Sequence, residues 1–115
     1  MLISQSSAWT ITYYDELLRN EIERFPEDIL SDYLRLIGLM ELGGANLGMP
    51  YTRAMGQKLF ELRLHGKEGA GRVLYCTLKG KRIVMLHSFI KKTRQTLLKD
   101  LRIARRRLEE VQENG

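Results

Sequence analysis

The sequence contains one cysteine, two prolines and one tryptophan in 115 residues, and what it lacks already excludes several classes of protein. Cys76 has no partner for an intrachain disulfide, so we expect a fold held by its apolar core in a reducing, cytoplasmic environment. No apolar run approaches the roughly 20 residues that a membrane-spanning helix requires. The first residues also lack a basic leader followed by an apolar stretch, and we therefore expect a soluble protein.

Motifs for cofactors and metal ions are missing as well. The sequence has no glycine-rich phosphate loop with a lysine and a Ser/Thr, no Cys/His metal spacing and no serine in a nucleophile elbow. The methionines at positions 40, 49, 55 and 85 are better explained as flexible core filler than as a soft-metal site. We therefore expect neither a cofactor nor a bound metal ion.

Positive charge is concentrated in the C-terminal half of the chain. The net charge is +5, but residues 1–56 contain four Lys/Arg against eight Asp/Glu, whereas residues 57–115 contain fifteen against six. A cationic half of this kind attracts polyanions through its long-range field and through counterion release, and nucleic acid is the usual partner. A solvated basic surface explains the charge about equally well, so charge alone does not decide the function.

The N-terminal half predicts one strand followed by a helical hairpin. Residues 9–14 are rich in strand-forming side chains, and Asp15 can cap a first helix. Pro26 opens a second helix, whose apolar stripe has helical spacing and which ends at Gly43-Gly44. That stripe consists of Leu30, Tyr33, Ile37 and Met40. Residues 45–57 are rich in turn-forming types, so they predict a loop.

The C-terminal half predicts three strands and a last helix. Strands at 58–65, 71–78 and 82–90, joined by short turns, form an antiparallel meander. Ile83–Leu86 is apolar without alternation, which favours a central strand buried on both faces. The last helix starts near Thr93 and frays after Glu110. Its apolar stripe is Leu97, Leu101, Ala104, Leu108 and Val111.

These elements predict an α+β fold in the order β-α-α-β-β-β-α. The expected architecture is a mostly antiparallel sheet with an N-terminal helical hairpin and a C-terminal helix. We expect a single domain over residues 1–115, with flexible ends at 1–7 and 112–115.

Three segments of the C-terminal half carry the pattern of a known family. They are Leu59–Arg63 (LFELR), Arg72–Tyr75 (RVLY) and Val84–Thr93 (VMLHSFIKKT). Together they resemble the phage-derived, HigB-like branch of the RelE/ParE toxin superfamily. The resemblance extends over residues 8–110 and is strongest in residues 58–93.

The resemblance implies the RelE-like fold and the toxin of a type II toxin–antitoxin system. Such a toxin is an endoribonuclease, or mRNA interferase, that cleaves messenger RNA without a metal ion, commonly on the ribosome. It thereby inhibits translation and growth, and a helix-turn-helix antitoxin silences it. Two alternatives remain open from the residues: a ParE-like inhibitor of a protein target such as DNA gyrase, and a non-catalytic nucleic-acid-binding module.

Metal-free RNA cleavage requires deprotonation of the 2′-hydroxyl, stabilisation of the charged phosphate and protonation of the leaving 5′-oxygen. Arg72 matches the arginine that begins the third strand in the family, and its planar donors suit the scissile phosphate. Arg63 matches a basic position that the superfamily often uses in the same cleft. Strand alternation predicts that Arg63 is displayed to solvent, on the same face as Glu61 and His65. The alternatives are a salt bridge at the strand end for Arg72 and a cross-strand ion pair, for example with Glu61, for Arg63.

Lys91 and Lys92 follow the last strand, where the family carries basic catalytic or RNA-gripping residues. One of them should reach the cleft, and clustered cations depress each other's pKa, so this lysine can act as acid or base. The alternative is a solvated pair at the sheet edge. The predicted catalytic residues are thus Arg63, Arg72, Lys91 and Lys92, and the predicted RNA-binding residues are Lys58, His65, Lys67 and His87.

The general acid and base are less well defined by the sequence. His87 shares strand parity with Met85 and Phe89, which favours a hydrogen-bonded histidine in an apolar setting over a catalyst. The tyrosine that RelE-type nucleases often carry near the start of the last helix is absent from residues 93–101, and Tyr51 is more simply explained as a packed loop residue. Arg102 and residues 105–107 can grip ribosomal RNA or form a solvated helix face.

Overall fold

The computed structural model describes residues 8–67, 69–92 and 98–114. Its elements are β1 (Thr10–Tyr13), α1 (Glu16–Glu23), α2 (Glu27–Gly43), β2 (Thr52–Gly56), β3 (Leu59–His65), β4 (Ala70–Leu78), β5 (Arg82–Lys91) and α3 (Leu98–Asn114). The predicted α+β class, the helical hairpin and the C-terminal helix are confirmed, and β2 is an additional strand. No helix in these described ranges is both long and apolar enough to cross a membrane.

The five strands form one sheet in the order β1-β5-β4-β3-β2. The neighbours from β2 to β5 pair antiparallel, and β1 pairs parallel to β5. The predicted meander is therefore present, and β5 lies inside the sheet between β1 and β4. All four residues of Ile83–Leu86 are buried, as expected for a strand covered on both faces.

The helical hairpin begins and ends where local signals place it. The Asp15 carboxylate accepts a hydrogen bond from the Leu18 amide at 2.9 Å, which satisfies one free N–H of the first turn of α1 and stabilises it by about 1 kcal/mol. Pro26 is the residue before α2, and Gly44 ends α2 with φ of 109°, a conformation that glycine adopts at little cost.

Strand β2 lies within the segment that the sequence predicted to be a loop, so that prediction is wrong for residues 52–56. The strand pairs with β3 through a tight connection at Gln57 and Lys58, both with positive φ, at 50° and 70°. Hairpin turns with two positive φ values are normally signalled by Asn-Gly or Asp-Gly. Gln-Lys carries no such signal, and the hairpin was therefore not recognisable from the sequence.

Helices cover both faces of the sheet. On one face, α1 and α2 bury a core that includes Leu18, Ile22, Tyr33, Leu36 and Met40 against residues of the inner strands. On the other face, α3 packs through Ala104 and Leu108. Its partners in the sheet are Leu59, Leu74, Cys76, Val84 and Leu86. Leu59 of β3 and Leu74 of β4 therefore lie on the face against which α3 packs.

Helix α3 extends past the predicted end at Glu110 to Asn114. Its predicted start near Thr93, together with Leu97 of the apolar stripe, lies outside the described residues. From Leu101 onward the predicted stripe is confirmed, since Ala104 and Leu108 are buried and Leu101 and Val111 pack against them.

Candidate functional site

The pairing of β2, β3 and β4 brings three arginines and a glutamate onto one face of the sheet. Arg53 lies directly opposite Glu61, and Arg63 lies directly opposite Arg72. Directly opposed residues share a face, and so do residues two apart on one strand, which places all four side chains together. This is the face on which α3 packs, because Leu59 of the same strand contacts α3 residues.

Lys91 joins this group from β5. Phe89 lies opposite Arg72 in the register, and Lys91 follows it by two residues, hence on the same face. Burial lowers the pKa of Lys91, repulsion from Arg72 lowers it further, and Glu61 opposes these effects. We call Arg53, Arg63, Arg72 and Lys91, gathered around Glu61, the basic cluster.

Glu61 lies at the centre of the basic cluster. Its side chain is only 1% exposed, and its Oε1 lies 3.2 Å from Arg63 Nη1, 3.6 Å from Arg53 Nη2 and 3.8 Å from Arg72 Nε. The prediction that this face of β3 is turned to solvent is therefore wrong at Glu61. Alternation correctly separates the two faces of the strand, but arginines of β2, β3 and β4 gather around Glu61 on the face that carries the charges.

Arg63 is less exposed than predicted, with 21% of its side chain accessible. Its Nη1 donates a hydrogen bond to Glu61 at 3.2 Å, so the alternative of an ion pair with Glu61 describes its contact in this structure. The partial exposure still allows Arg63 to meet an anion that approaches the cluster from solvent.

Arg72 lies deeper, with 3% of its side chain exposed. Its Nη1 donates to the carbonyl oxygens of Gly71 at 2.8 Å and Leu64 at 3.4 Å, while its Nε has no hydrogen-bond partner in the described part of the chain. Burial lowers the pKa of Arg72, Glu61 counteracts this shift and Arg63 adds to it. A guanidinium remains charged in such surroundings, so Arg72 supplies positive potential from beneath the surface.

The two lysines after the last strand differ in position. Lys91 is partly buried next to the arginines, whereas Lys92 lies beyond the end of β5 and is exposed. The expectation that one of the two reaches the site fits Lys91.

His87 forms a hydrogen bond with Asp100, a residue that the sequence analysis did not identify. Its Nε2 lies 2.7 Å from the Asp100 Oδ1 of α3, and its ring stacks on Phe89 with centroids 5.8 Å apart. An extra residue in β5 breaks the register, since Leu74 pairs with His87 but Tyr75 pairs with Met85. The predicted shared parity with Met85 is therefore wrong, because a bulge reverses parity beyond it. The expectation of a hydrogen-bonded histidine fits this geometry.

Three of the predicted RNA-binding residues, His65, Lys67 and Lys58, are not among the residues gathered around Glu61. His65 and Lys67 are exposed, and their backbone amides donate to Asp32 and Asp28 of α2 at 2.8 Å and 2.5 Å. Lys58 lies in the β2–β3 turn at the other end of β3, where it lines a cavity with Lys79. His65 follows Arg63 by two residues and lies opposite Ala70, which pairs with Lys91, so His65 shares the face of the basic cluster at its outer end. The structure does not bring Lys58 and Lys67 together with the basic cluster.

The arginines of α3 fall into two pairs. Arg105 donates to the Met55 carbonyl at 3.1 Å, and Arg107 donates to the Leu86 carbonyl at 2.8 Å. These two arginines attach α3 to the sheet, so the interpretation of the whole run as a solvated face is wrong for them. Arg102 and Arg106 are exposed.

Tyr51 contacts the helical hairpin, with the Arg35 guanidinium 5.7 Å from its ring centroid. Tyr51 is nevertheless 38% exposed, so the expectation of a packed loop tyrosine is met only by this contact. Among the described residues, no group of three or more His, Cys, Asp or Glu side chains is placed to hold a metal ion.

Two residues of the site were missed in the sequence, Arg53 and Asp100. Arg53 was assigned to a loop, and only the pairing of β2 with β3 brings it opposite Glu61. Asp100 lies on α3, thirteen positions from His87, and no local pattern connects the two.

Comparisons with known proteins agree with this architecture. The model of the family described as phage derived protein Gp49-like (DUF891) matches residues 20–109. No curated protein matches the sequence significantly. The fold is similar to a free double arginine-to-alanine mutant of the E. coli toxin RelE, with a TM-score of 0.63 and 11% identity over 89% of this chain and 99% of that chain.

A second similar structure is the archaeal RelE–RelB complex from Pyrococcus horikoshii OT3. It aligns with a TM-score of 0.53 and 16% identity over 73% of this chain and 96% of the matched chain. At these identities the two structures establish the fold, while the family model covers most of the sequence. The chain therefore belongs to the phage-derived Gp49-like family and has the RelE-like fold that the three strand segments indicated.

Proposed function

We propose that this protein is the toxin of a type II toxin–antitoxin pair and that it is a metal-free endoribonuclease acting on messenger RNA, on the ribosome. The observation that carries the proposal is the basic cluster, in which one sheet face presents Arg53, Arg63, Arg72 and Lys91 around one buried carboxylate. Cations collected at one place stabilise the negative charge that develops on a phosphate during cleavage.

The four predicted catalytic residues have different parts in this proposal. Arg63 is the guanidinium most available to the scissile phosphate, and Arg72 strengthens the local potential from its buried position. Lys91 lies beside both, and its lowered pKa favours loss of a proton, as a residue that accepts a proton from the 2′-hydroxyl requires. Lys92 is exposed and contacts RNA outside the reacting phosphate.

The other predicted RNA contacts extend the bound strand beyond the basic cluster. His65 is the last residue of β3 and Lys67 lies in the turn after it, whereas Lys58 directly precedes the other end of the strand. Polynucleotide phosphates recur along the strand, so separated cations contact different phosphates of one RNA. His87 is held by Asp100 and supports the site through Phe89.

We also propose a helix-turn-helix antitoxin as the protein partner. One of the similar structures is itself a complex of RelE with RelB. An acidic or apolar element of the partner that covers the basic cluster would remove the phosphate site from RNA.

Expression of the chain with primer-extension mapping of cellular transcripts tests the enzymatic proposal. We expect growth arrest and discrete new 5′ ends within translated regions. Relaxed or broken DNA together with intact transcripts would instead identify a ParE-like action on a protein such as gyrase.

The partner proposal has its own test. Co-expression of the small reading frame that neighbours the gene should restore growth. Growth that stays arrested, although both proteins are made, would contradict an antitoxin role for that neighbour.

A further inference from the structure

Glu61 is a buried charged residue in the middle of a strand. Its neighbours on the same face of β3 are Leu59, which packs in the α3 core, and Arg63. A carboxylate removed from water is costly unless cations and hydrogen-bond donors surround it. In the described part of the chain, the guanidinium groups of Arg53, Arg63 and Arg72 lie within 3.8 Å of its Oε1 and contribute to that compensation.

The arginines depend on Glu61 to different degrees. Arg72 is also held by the carbonyl oxygens of Gly71 and Leu64. Arg63 contacts Glu61 through Nη1, and its buried Nε has no hydrogen-bond partner in the described ranges. Arg53, with 48% of its side chain exposed, lies at the edge of the group. Glu61 is thus the contact that the three arginines share.

We propose that Glu61 is the positioning residue of the basic cluster, whose carboxylate orients Arg63 and Arg53 and offsets the repulsion among the cluster's cations. Because Glu61 is buried, it acts through the arginines and does not touch the RNA. The nature of the bound anion rests on the proposed ribonuclease function, whereas the positioning of the arginines does not.

The physical reason is preorganisation. Donors that are already fixed where charge develops need no reorganisation at the moment of reaction. Free arginines close together would repel one another and point away into solvent. A carboxylate beneath them keeps the guanidinium groups near one another while Arg63 retains an exposed part that can meet a phosphate.

The first experiment observes the arginines directly. Glu61→Gln preserves the size of the side chain and removes its charge, and the Nε–H resonances of the arginines can be followed by NMR. We expect the Arg63 resonance to move to the position of a solvent-exposed arginine such as Arg106. The Arg72 resonance should shift less, since the Gly71 carbonyl still holds it. Glu110→Gln, which removes the charge of the carboxylate that accepts a hydrogen bond from the Tyr14 hydroxyl, is the matched control and should leave Arg63 unchanged.

The second experiment compares RNA binding with cleavage. In Glu61→Gln the cations remain and a negative charge is lost, so affinity for an RNA oligonucleotide at low salt should be equal or higher. Single-turnover cleavage should fall about tenfold or more, because the donors are no longer fixed. Glu61→Asp keeps the charge with a shorter reach and should recover part of the rate. A purely structural role would lower binding and cleavage together.

The proposal is overturned if Arg63 keeps its resonance position in Glu61→Gln, or if that variant cleaves at the parental rate. Should Glu61→Gln fail to melt cooperatively, the same resonance is followed in Glu61→Asp, and an unchanged Arg63 there overturns the proposal as well. A parent protein that cleaves no RNA, but whose Arg63 resonance moves in Glu61→Gln, would refute the ribonuclease function and support the positioning role.

Discussion

Arg63 and Arg72 belong to the same cluster but differ in burial, and their alanine variants should therefore separate stability from activity. Arg72 is 3% exposed and Arg63 is 21% exposed. Removal of one partner from a buried ion pair costs roughly 3–5 kcal/mol when the other charge is left unpaired. Because Glu61 keeps two arginines in Arg72→Ala, we expect a smaller loss in the free energy of unfolding, about 2 kcal/mol. For a chain of this length that loss lowers the melting temperature by roughly 8 °C.

Arg63→Ala removes a partly exposed ion pair and should cost about 1 kcal/mol or less. Arg63→Ala should lose cleavage activity on the order of a hundredfold, as expected when a donor to a developing oxyanion is removed. Arg72→Ala should lose a comparable factor, because the positive potential beneath Arg63 is removed. Arg106→Ala is the matched control, because Arg106 is exposed on α3. Its cleavage rate and melting temperature should stay close to those of the parent.

Arg72→Lys should be nearly as inactive as Arg72→Ala. Lysine keeps the positive charge but lacks the planar guanidinium group, whose Nη1 donates hydrogen bonds to the carbonyl oxygens of Gly71 and Leu64. Thermal melting followed by circular dichroism gives the stability, and single-turnover cleavage is measured where all variants are folded. If Arg72→Ala melts like the parent and cleaves at the parental rate, the assignment of the site is wrong and the cluster is only a docking surface.

Three further predictions concern salt, pH and the β2–β3 turn. RNA affinity should fall with salt concentration with a log–log slope of about 0.7 per phosphate contacted, and a flat profile in a fluorescence anisotropy titration would contradict phosphate binding. Burial lowers the pKa of Lys91 in the folded protein relative to the unfolded chain. At a pH between the folded and the unfolded pKa of Lys91, the unfolded chain therefore binds more protons than the folded protein. The free energy of unfolding should consequently rise with pH over this range. Lys91→Met should therefore be more stable than the parent at neutral pH. Melting curves recorded at increasing pH should show this difference in stability becoming smaller as the pH approaches the ordinary pKa of lysine. Lys92→Met, which removes a charge from the exposed neighbour of Lys91, is the matched control. Asn and Gly adopt positive φ at a lower energetic cost than Gln and Lys do, so replacing Gln57-Lys58 by Asn-Gly should raise the free energy of unfolding by about 1 kcal/mol. An unchanged melting temperature would refute this interpretation of the turn.

Local signals in the sequence were sufficient for most of the secondary structure. The Asp15 cap and the apolar segment of β5 each involve residues close together in sequence, and the structure confirms them. The stripe of α2 is confirmed at Tyr33 and Met40, but the other two buried residues are Ile29 and Leu36, whereas the predicted Leu30 and Ile37 are only partly buried. The fold family was recognisable for a related reason, because its three segments lie in one continuous meander. Arg63, Arg72 and Lys91 could be singled out since each lies within these segments.

The burial of these residues and the identity of their neighbours in space could not be predicted from the sequence. Alternation places Glu61 and Arg63 on one face of β3, but only the pairing of β3 with β2 and β4 surrounds Glu61 with three arginines, and Glu61 is buried there. Arg53 becomes part of the cluster only through the pairing of β2, whose turn lacks the usual sequence signal. His87 changes face because of a bulge in β5. The sequence by itself thus determined which strands and cations this protein has, because propensity and periodicity act over a few residues. Tertiary structure decided which cations share a carboxylate and which face water, because register, bulges and helix packing depend on residues far apart in the chain.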